Sequence, residues 1–385
     1  MSNREDALEL HSKNPGKISV EPSIEINDKD DLELVYTPGV AEPCKEIEND
    51  KENVYKYTSK GNLVAVVSDG SAVLGLGDIG AEASMPVMEG KSNLMKKFGD
   101  VDGVPICIEA DSAEDIIEHV QREAPTFGAV NLEDIKAPRC FKAEEKLKQK
   151  LDIPVFHDDQ HGTAIVVGAA LRNALELAEK DIEDVRIVIS GAGAAGIAVA
   201  NFLIEAGAEN IIPLDSSGVL RTEDENSYKA ELAEKTLASE ESGSLEDAME
   251  DADVFIGLSA PGIVSGDMVE SMAENPIVFA LANPEPEILP PEAREAGAFI
   301  TATGRSDFDN QVNNSLAFPG VFRGALDVRA SDINEEMKIA ASDAIKNFIE
   351  PEKDSIAPET LDKDLAMEIA DRVKEAAEET GVSRR

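Results

Sequence analysis

The sequence contains no tryptophan, and aromatic residues make up only 4% of its 385 positions. Basic residues are also scarce, because 36 Lys and Arg stand against 78 Asp and Glu, which gives a formal net charge of −42. Nucleic acids and anionic membranes are bound through Lys and Arg, so neither is an expected partner. No apolar run approaches the roughly 20 residues that a membrane-spanning helix needs.

Cysteine is rare as well, with only Cys44, Cys107 and Cys140 and no CxxC pair. An odd number of dispersed cysteines argues against a disulfide framework and predicts thiols in a reducing compartment. The first six residues lack the apolar segment of a secretory signal, so we expect a cytoplasmic protein.

The acidic residues are spread over the whole chain, and 42% of positions are hydrophobic. This composition predicts a folded protein with an acidic surface rather than a disordered acidic tail. Salt at molar concentration screens charges over about 3 Å and would relieve their repulsion. We therefore expect a halophilic protein, with an ordinary acidic protein of a low-salt cell as the alternative.

Short β-type runs alternate with segments of helical periodicity, which predicts an α/β fold with mainly parallel strands. The expected strands of the first half lie at 63–67, 105–108, 129–131 and 155–156, with helices at about 82–98, 112–123 and 138–150. A long apolar helix is expected from 162 to about 178. We predict a domain boundary near its start, dividing the chain into an N-terminal α/β domain at 1–160 and a second domain at 161–385.

The second half carries a dinucleotide-binding fingerprint. A β-type run at 185–190 leads directly into GxGxxG, and an apolar helix follows to 203; the loop comprises Gly191, Ala192, Gly193, Ala194, Ala195 and Gly196. The next predicted strand, 211–214, ends at Asp215, about 20 residues on, as a Rossmann domain requires. The glycines allow a pyrophosphate to approach the backbone, and Asp215 can accept hydrogen bonds from ribose hydroxyls. A tight turn without a ligand is the alternative.

Two further strands, at 254–257 and 277–280, end in small or turn residues that we expect to line the cofactor cleft. From about 325 onward the chain is helical by periodicity, and these helices are expected to close the domain without chemistry of their own.

Carboxylates follow two predicted strands of the first half, as Glu133 and Asp134 and as Asp158 and Asp159. Such oxygen donors suit Mg²⁺ or Mn²⁺. In a chain this acidic, a solvated loop is the commoner origin of such a pattern. His157 and His161 could form a zinc pair, but no third nitrogen or sulfur ligand lies nearby.

Several further motifs, taken together, resemble the short prokaryotic form of the malic enzymes over about residues 10–330. They are YTPGVAEPC at 36–44, GLGDIG at 75–80, MPVMEGK at 85–91, NLEDIKAP at 131–138, HDDQHGTA at 157–164, NN at 313–314 and FPG at 318–320. The resemblance implies oxidative decarboxylation of L-malate to pyruvate and CO₂, reduction of NAD or NADP, and a requirement for Mg²⁺ or Mn²⁺. It also implies a homodimer or a dimer of dimers.

The resemblance further implies a role for individual residues. Glu133, Asp134 and Asp159 match the metal ligands, with Asp158 as an orienting neighbour. Lys91 matches the general base, which also contacts the substrate.

Tyr36 matches the residue that protonates C3 of enolpyruvate. Asn283 matches a contact to nicotinamide, and Asn314, beside Asn313, matches a contact to the substrate carboxylate.

Three questions stay open at this point. The chain reads Ser71–Ala72–Val73 where larger relatives carry an Arg that binds substrate, so the partner of the second malate carboxylate is unassigned. Asp215 favours NAD, whereas Ser216, Ser217 and Arg221 could meet the 2′-phosphate of NADP. A malolactic enzyme, which converts malate to lactate, and a catalytically silent dinucleotide sensor are the alternative functions.

Overall fold

The computed structural model describes residues 3–14, 16–359 and 362–385. Two separate sheets, built almost entirely of parallel strands, are each associated with helices. The predicted α/β fold is therefore confirmed. Across the described ranges, no helix is both long and apolar enough to cross a membrane.

The first sheet has four parallel strands in the order β2–β1–β3–β4. Its strands are β1 (Leu63–Ser68), β2 (Asp102–Cys107), β3 (Ala129–Leu132) and β4 (Val155–His157). The interior strands read as apolar runs because both of their faces are buried. The helices before and around this sheet are α1 (Asn3–Lys13), α2 (Lys29–Val35), α3 (Ala41–Asn49), α4 (Val54–Tyr57), α5 (Ala81–Gly99), α6 (Ala113–Glu123) and α7 (Arg139–Lys150).

Helix α8 (Asp158–Ala178) begins four residues before the predicted start at 162 and follows β4 without a loop. Asp158 and Asp159 form its first turn, where negative charge complements the positive end of the helix dipole. A solvated loop was the alternative for this acidic pair, but the pair begins a helix that is buried along most of its length.

The second sheet has six strands in the order β10–β9–β8–β5–β6–β7. They are β5 (Arg186–Ser190), β6 (Asn210–Asp215), β7 (Gly218–Val219), β8 (Val254–Gly257), β9 (Ile277–Ala280) and β10 (Ile300–Thr303). Only β7 is antiparallel. The helices of this part are α9 (Ala194–Glu205), α10 (Ser227–Glu234), α11 (Leu245–Met249), α12 (Gly266–Glu270) and α13 (Pro290–Glu295). Strand β5 lies where the strand order reverses, which in such sheets is where a ligand binds.

Three helices end the chain: α14 (Phe318–Asp327), α15 (Glu335–Asn347) and α16 (Lys363–Glu379). Helix α15 packs on α8, and α14 packs on α5 beside the first sheet. The contact with α5 is close, because a Cβ at Gly99 would lie 2.5 Å from the carbonyl oxygen of Pro319. The C-terminal helices thus pack against α5, beside the first sheet, and against α8, rather than closing the second sheet alone.

Candidate active site

A cluster of carboxylates lies at the carboxyl end of the first sheet. Strands β3 and β4 are parallel neighbours, so the residues that follow them meet at the same edge. One carboxylate oxygen from each of Glu133, Asp134 and Asp159 lies within 4.8 Å of the others. The Asp134 backbone N–H donates to Asp159 Oδ2 at 2.8 Å. The structure thereby brings together the three residues predicted as metal ligands.

Lys91 enters this acidic cluster from α5. Its Nζ lies 2.5 Å from Asp158 Oδ2 and 2.9 Å from Glu133 Oε1, and 4.5 Å from the ring centroid of Phe318 in α14. Burial disfavours the Lys91 ammonium, but the charges of Asp158 and Glu133 outweigh burial and raise the pKa of Lys91. Phe318 was not predicted as a site residue, because its place depends on the packing of α14 against α5.

The donor set fits a divalent cation. Glu133 and Asp134 are each 3% exposed, so a solvated acidic loop is the wrong interpretation. Burial raises the pKa of Glu133, and burial together with the charge of Asp159 raises the pKa of Asp134 to about 7. Asp134 Oδ2 and Asp158 Oδ1 are buried without a hydrogen-bond partner among the described residues. Clustered carboxylates of this kind are costly to bury unless a cation compensates them, and oxygen donors suit Mg²⁺ and Mn²⁺.

The two histidines of this segment do not form a common site. His161 Nε2 lies 2.7 Å from Glu144 Oε1, and His157 Nε2 lies 3.3 Å from Asp159 Oδ2. The only group in the described ranges with metal-ligand spacing is the carboxylate triad. The alternative of a zinc pair has no support in this geometry.

The glycine loop joins β5 to α9 at the carboxyl end of the second sheet. Gly191 has a φ of +115°, and a Cβ there would lie 2.4 Å from the Leu258 carbonyl oxygen. A Cβ at Gly196 would lie 1.7 Å from the Gly191 carbonyl oxygen, so neither position admits a side chain. A Cβ at Gly193 would meet nothing within 4 Å, which leaves open space above the start of α9. This is the space that a pyrophosphate requires at a helix N-terminus.

Asp215 ends β6, as predicted, but its carboxylate is already engaged. Lys229 Nζ of α10 lies 2.5 Å from Asp215 Oδ2, and the Ser217 N–H donates to Asp215 Oδ1 at 2.7 Å. Hydrogen bonds from Lys229 and Ser217 outweigh burial and lower the pKa of Asp215. Lys229 therefore places a cation beside the residue that favours NAD, which sequence analysis did not foresee.

A cavity of about 610 Å³ extends from Asp159, at the edge of the acidic cluster, to the glycine loop. Its lining includes residues predicted to contact metal, cofactor and substrate: Asp159, Gly193, Ala194, Ala195, Asn283, Asn313 and Asn314. Lys136 also lines it and is the one basic residue of that lining within the described part of the chain. Its Nζ lies 3.4 Å from Asp78 Oδ2. Lys136 was not predicted as a site residue, although its position in the NLEDIKAP motif could have indicated it.

Tyr36 lies apart from this cavity. It follows α2, is 67% exposed, and is neither a lining residue nor one of the close partners of Lys91 in the described ranges. The structure brings all the other predicted site residues to the carboxyl ends of the two sheets, but it does not bring Tyr36 to Lys91 within one chain.

A metal-type carboxylate triad that shares a cavity with a Rossmann glycine loop defines a dinucleotide-dependent oxidoreductase of the metal-assisted kind. Comparison with known proteins narrows this class. The sequence model of the malic enzyme N-terminal domain matches residues 15–148, and that of the malic enzyme NAD-binding domain matches residues 160–378. The chain belongs to the malic enzyme family.

Individual relatives are similar over nearly the whole chain. The bifunctional malic/malolactic enzyme of Bacillus subtilis is 54% identical, over 100% of this chain and 95% of its own length. The NADP-dependent malic enzyme of Halomonas elongata is 49% identical, over 99% of this chain and 95% of its own length. The crystal structure of the NAD-dependent malic enzyme of Thermotoga maritima has a TM-score of 0.93 and 48% identity, over 96% of this chain and 99% of that one.

Proposed function

We propose that this chain catalyses the oxidative decarboxylation of L-malate to pyruvate and CO₂, with reduction of NAD or NADP and with Mg²⁺ or Mn²⁺ as cofactor. One observation carries the proposal: Asp159, a member of the carboxylate triad, lines the same cavity as Gly193 of the glycine loop. A substrate held beside Asp159 would therefore lie within reach of a nicotinamide that enters from Gly193.

Each part of the site has a task in this reaction. Glu133, Asp134 and Asp159 would hold the divalent ion, which when bound acts as a Lewis acid toward the malate hydroxyl and the ketone. The glycine loop at Gly193 would hold the dinucleotide, which when bound would supply the acceptor for the hydride of C2. The carboxylates alone raise the pKa of Lys91, but a divalent cation held by them would offset their charge and favour the neutral amine. In that neutral form, Lys91 takes the proton of the 2-hydroxyl as the hydride leaves.

Decarboxylation and protonation complete the balance. The C3–C4 bond breaks and CO₂ departs. The electron pair of that bond stays with C3 and forms the enolate of pyruvate. Tyr36 then donates a proton to C3. Asn283 and Asn314 orient nicotinamide and substrate through uncharged donors, and Lys136 supplies a positive charge for a substrate carboxylate.

We propose in addition that the chain acts as a homodimer in which Tyr36 completes the site of the partner subunit. More than half of the exposed large apolar side chains in the described ranges lie between residues 8 and 40, the segment that carries Tyr36. Exposed apolar patches of this extent mark protein interfaces. Leu74, Leu76, Met85 and Val87 are exposed as well. Leu74 lines the cavity, and Met85 and Val87 precede Lys91 on α5, so the 8–40 segment of a partner could cover this apolar surface beside the site.

Mixed dimers test this arrangement. Tyr36→Phe and Lys91→Met each inactivate every site of their own homodimer, but mixing them forms heterodimers with one site that carries both native residues. We expect activity to return to about a quarter of the wild-type level, as random pairing of symmetric subunits gives. Activity that stays at the level of the separate variants would show that Tyr36 acts within its own chain, or not at all.

The reaction itself is tested with L-malate, Mn²⁺ and molar KCl, with NAD and NADP assayed side by side. We expect reduced dinucleotide and pyruvate in equal amounts, and no reaction after chelation of the metal. The similarity to a bifunctional malic/malolactic enzyme favours malolactic conversion as the second candidate, and lactate without reduced dinucleotide would establish it. Dinucleotide binding without any product would favour the sensor.

The cellular location and the domain boundary are proposed on the following grounds. The three cysteines are unpaired in the described structure, which supports a reducing, cytoplasmic location. The domain division at 160/161 is supported by the start of α8 directly after the last strand of the first sheet.

A further inference from the structure

A carboxylate without an assigned task lies buried behind the dinucleotide loops of the second sheet. Glu287 is 0% exposed and lies in the irregular segment between β9 and α13. Burying a carboxylate carries a large desolvation penalty unless donors compensate it, so a fully buried glutamate needs an explanation.

Backbone amides of two separate loops supply those donors. The Ser259 N–H donates to Glu287 Oε1 at 2.8 Å, and the Ala282 N–H donates to Oε2 at 3.1 Å. Ser259 follows β8 and Ala282 follows β9, so one side chain joins the ends of two neighbouring strands. Burial raises the pKa of Glu287, and the hydrogen bonds from these amides oppose that rise.

Both loops reach the proposed cofactor. Leu258 and Asn283 line the cavity beside the glycine loop, and each is the direct neighbour of a residue that Glu287 binds. Ser259 Oγ also lies 3.1 Å from Ser190 Oγ at the end of β5, one residue before Gly191. Glu287 therefore connects, directly or through Ser259, the loops after three adjacent strands.

Gly257 lies against this carboxylate, and no larger residue would fit there. A Cβ at Gly257 would lie 2.3 Å from Glu287 Cδ and 2.7 Å from both carboxylate oxygens. Gly257 does not adopt a positive φ, so its backbone conformation would tolerate alanine. The absent side chain is explained by the neighbouring carboxylate.

We propose that Glu287 is a positioning residue for the dinucleotide, which fixes the Leu258–Ser259 and Ala282–Asn283 segments against the nicotinamide end of the cofactor. It touches neither cofactor nor substrate and acts through the two backbone amides. The inference rests on the proposed dinucleotide site, and it does not depend on which substrate is oxidised.

Two variants test this inference by different routes. Glu287→Gln replaces one acceptor oxygen with an NH₂ group that faces a backbone N–H, so one loop loses its acceptor. Gly257→Ala keeps the charge but displaces the carboxylate. We expect each variant to weaken binding of NADH and NADPH by about tenfold, as loss of one buried hydrogen bond would. Binding is measured by fluorescence titration without malate or metal.

Asp253→Asn is the matched control at the opposite end of the same strands. Asp253 Oδ2 accepts a hydrogen bond from the Arg186 N–H at 2.9 Å, so it joins β5 and β8 at their amino ends. We expect this variant to lower the melting temperature but to change NADH affinity by less than about twofold.

Three outcomes would overturn the proposal: wild-type NADH affinity in folded Glu287→Gln, wild-type affinity in Gly257→Ala, or an equal loss of affinity in Asp253→Asn. If Glu287→Gln fails to fold, Gly257→Ala decides the matter alone. A wild-type chain that binds NADH but does not oxidise malate contradicts the proposed function and leaves the role of Glu287 intact.

Discussion

The carboxyl ends of the two sheets use opposite chemistry at the same topological position. The edge of the first sheet concentrates charge, with four carboxylates around Lys91. At the edge of the second sheet, the cavity is lined by glycines, alanines and Asn283 rather than by carboxylates. The carboxylates of this edge lie outside the lining: Glu287 is buried behind the loops, and Asp215 is paired with Lys229.

The difference follows from what each edge has to bind. A small hard cation needs several oxygens within a few ångströms, even though their mutual repulsion makes the empty arrangement unfavourable. A dinucleotide needs close approach of the backbone over a long path, so side chains are removed and the loops are fixed from behind. Variants at one edge should therefore leave the function of the other unchanged.

Removal of Lys91 should have the largest effect. We expect Lys91→Met to lower kcat by about 10³-fold, since general base catalysis contributes on that scale. NADH affinity should stay within about twofold, because Lys91 contacts Asp158, Glu133 and Phe318 rather than the second sheet. Steady-state kinetics and fluorescence titration measure the two quantities. Lys96→Met, on the exposed face of α5, is the control, and more than a tenth of wild-type activity in Lys91→Met would contradict the role.

Loss of one metal ligand should impair the function of the first sheet's edge without affecting that of the second. We expect Asp159→Asn to raise the Mn²⁺ concentration for half-maximal activity by about 100-fold, because it removes a charge and a ligand oxygen. NADH affinity should not change in Asp159→Asn. In Glu287→Gln, by contrast, NADH binding should weaken and the Mn²⁺ dependence should stay at the wild-type level. Asp152→Asn, 90% exposed in its side chain, controls for charge alone. An unchanged Mn²⁺ dependence would mean that another group completes the ligand set.

The local parts of this contrast could be predicted from sequence. The interior strands are apolar runs, and the glycine loop follows its strand directly, so both were placed correctly. The metal ligands came from the family resemblance, because spacing alone could not distinguish Glu133 and Asp134 from a solvated loop. Strand β10 was missed because Ile300–Thr303, which reads ITAT, lacks the continuous apolar run by which the other buried strands were identified.

The remaining features depend on tertiary packing. Phe318 reaches Lys91 only because α14 packs on α5, and Glu287 reaches Ser259 only because β8 and β9 are neighbours. No periodicity or spacing indicates either contact. Glu287 in particular stands in a turn of a strongly acidic chain, where an exposed glutamate is the ordinary expectation.

The cofactor preference should respond moderately to the Asp215–Lys229 pair. We expect Asp215→Ser to raise the ratio of kcat/KM for NADP to that for NAD by about tenfold, because it removes an anion from the 2′-position and frees Lys229. Lys229→Met should move the ratio toward NAD. Arg221→Met tests the other basic candidate in the same assay. A ratio that neither Asp215→Ser nor Lys229→Met alters would show that the 2′-position lies elsewhere.

Salt should have the smallest effect, a change in melting temperature to which the charges of the whole molecule each contribute little. The net charge of −42 gives long-range repulsion in the native state, which salt at molar concentration screens. We expect the melting temperature to rise by about 5–10 °C between 0.1 M and 3 M KCl, as a gain of about 4–8 kcal/mol in unfolding free energy would produce in a chain of this length. Mn²⁺ should raise it further at low salt, since the acidic edge of the first sheet is the most concentrated part of that repulsion. At an Mn²⁺ concentration that just saturates the wild-type chain, the Mn²⁺ increment should be lost in Asp159→Asn but persist in Glu287→Gln. A melting temperature independent of KCl would contradict the halophilic interpretation, and an Mn²⁺ increment retained in Asp159→Asn would mean that the ion stabilises the chain from some other site.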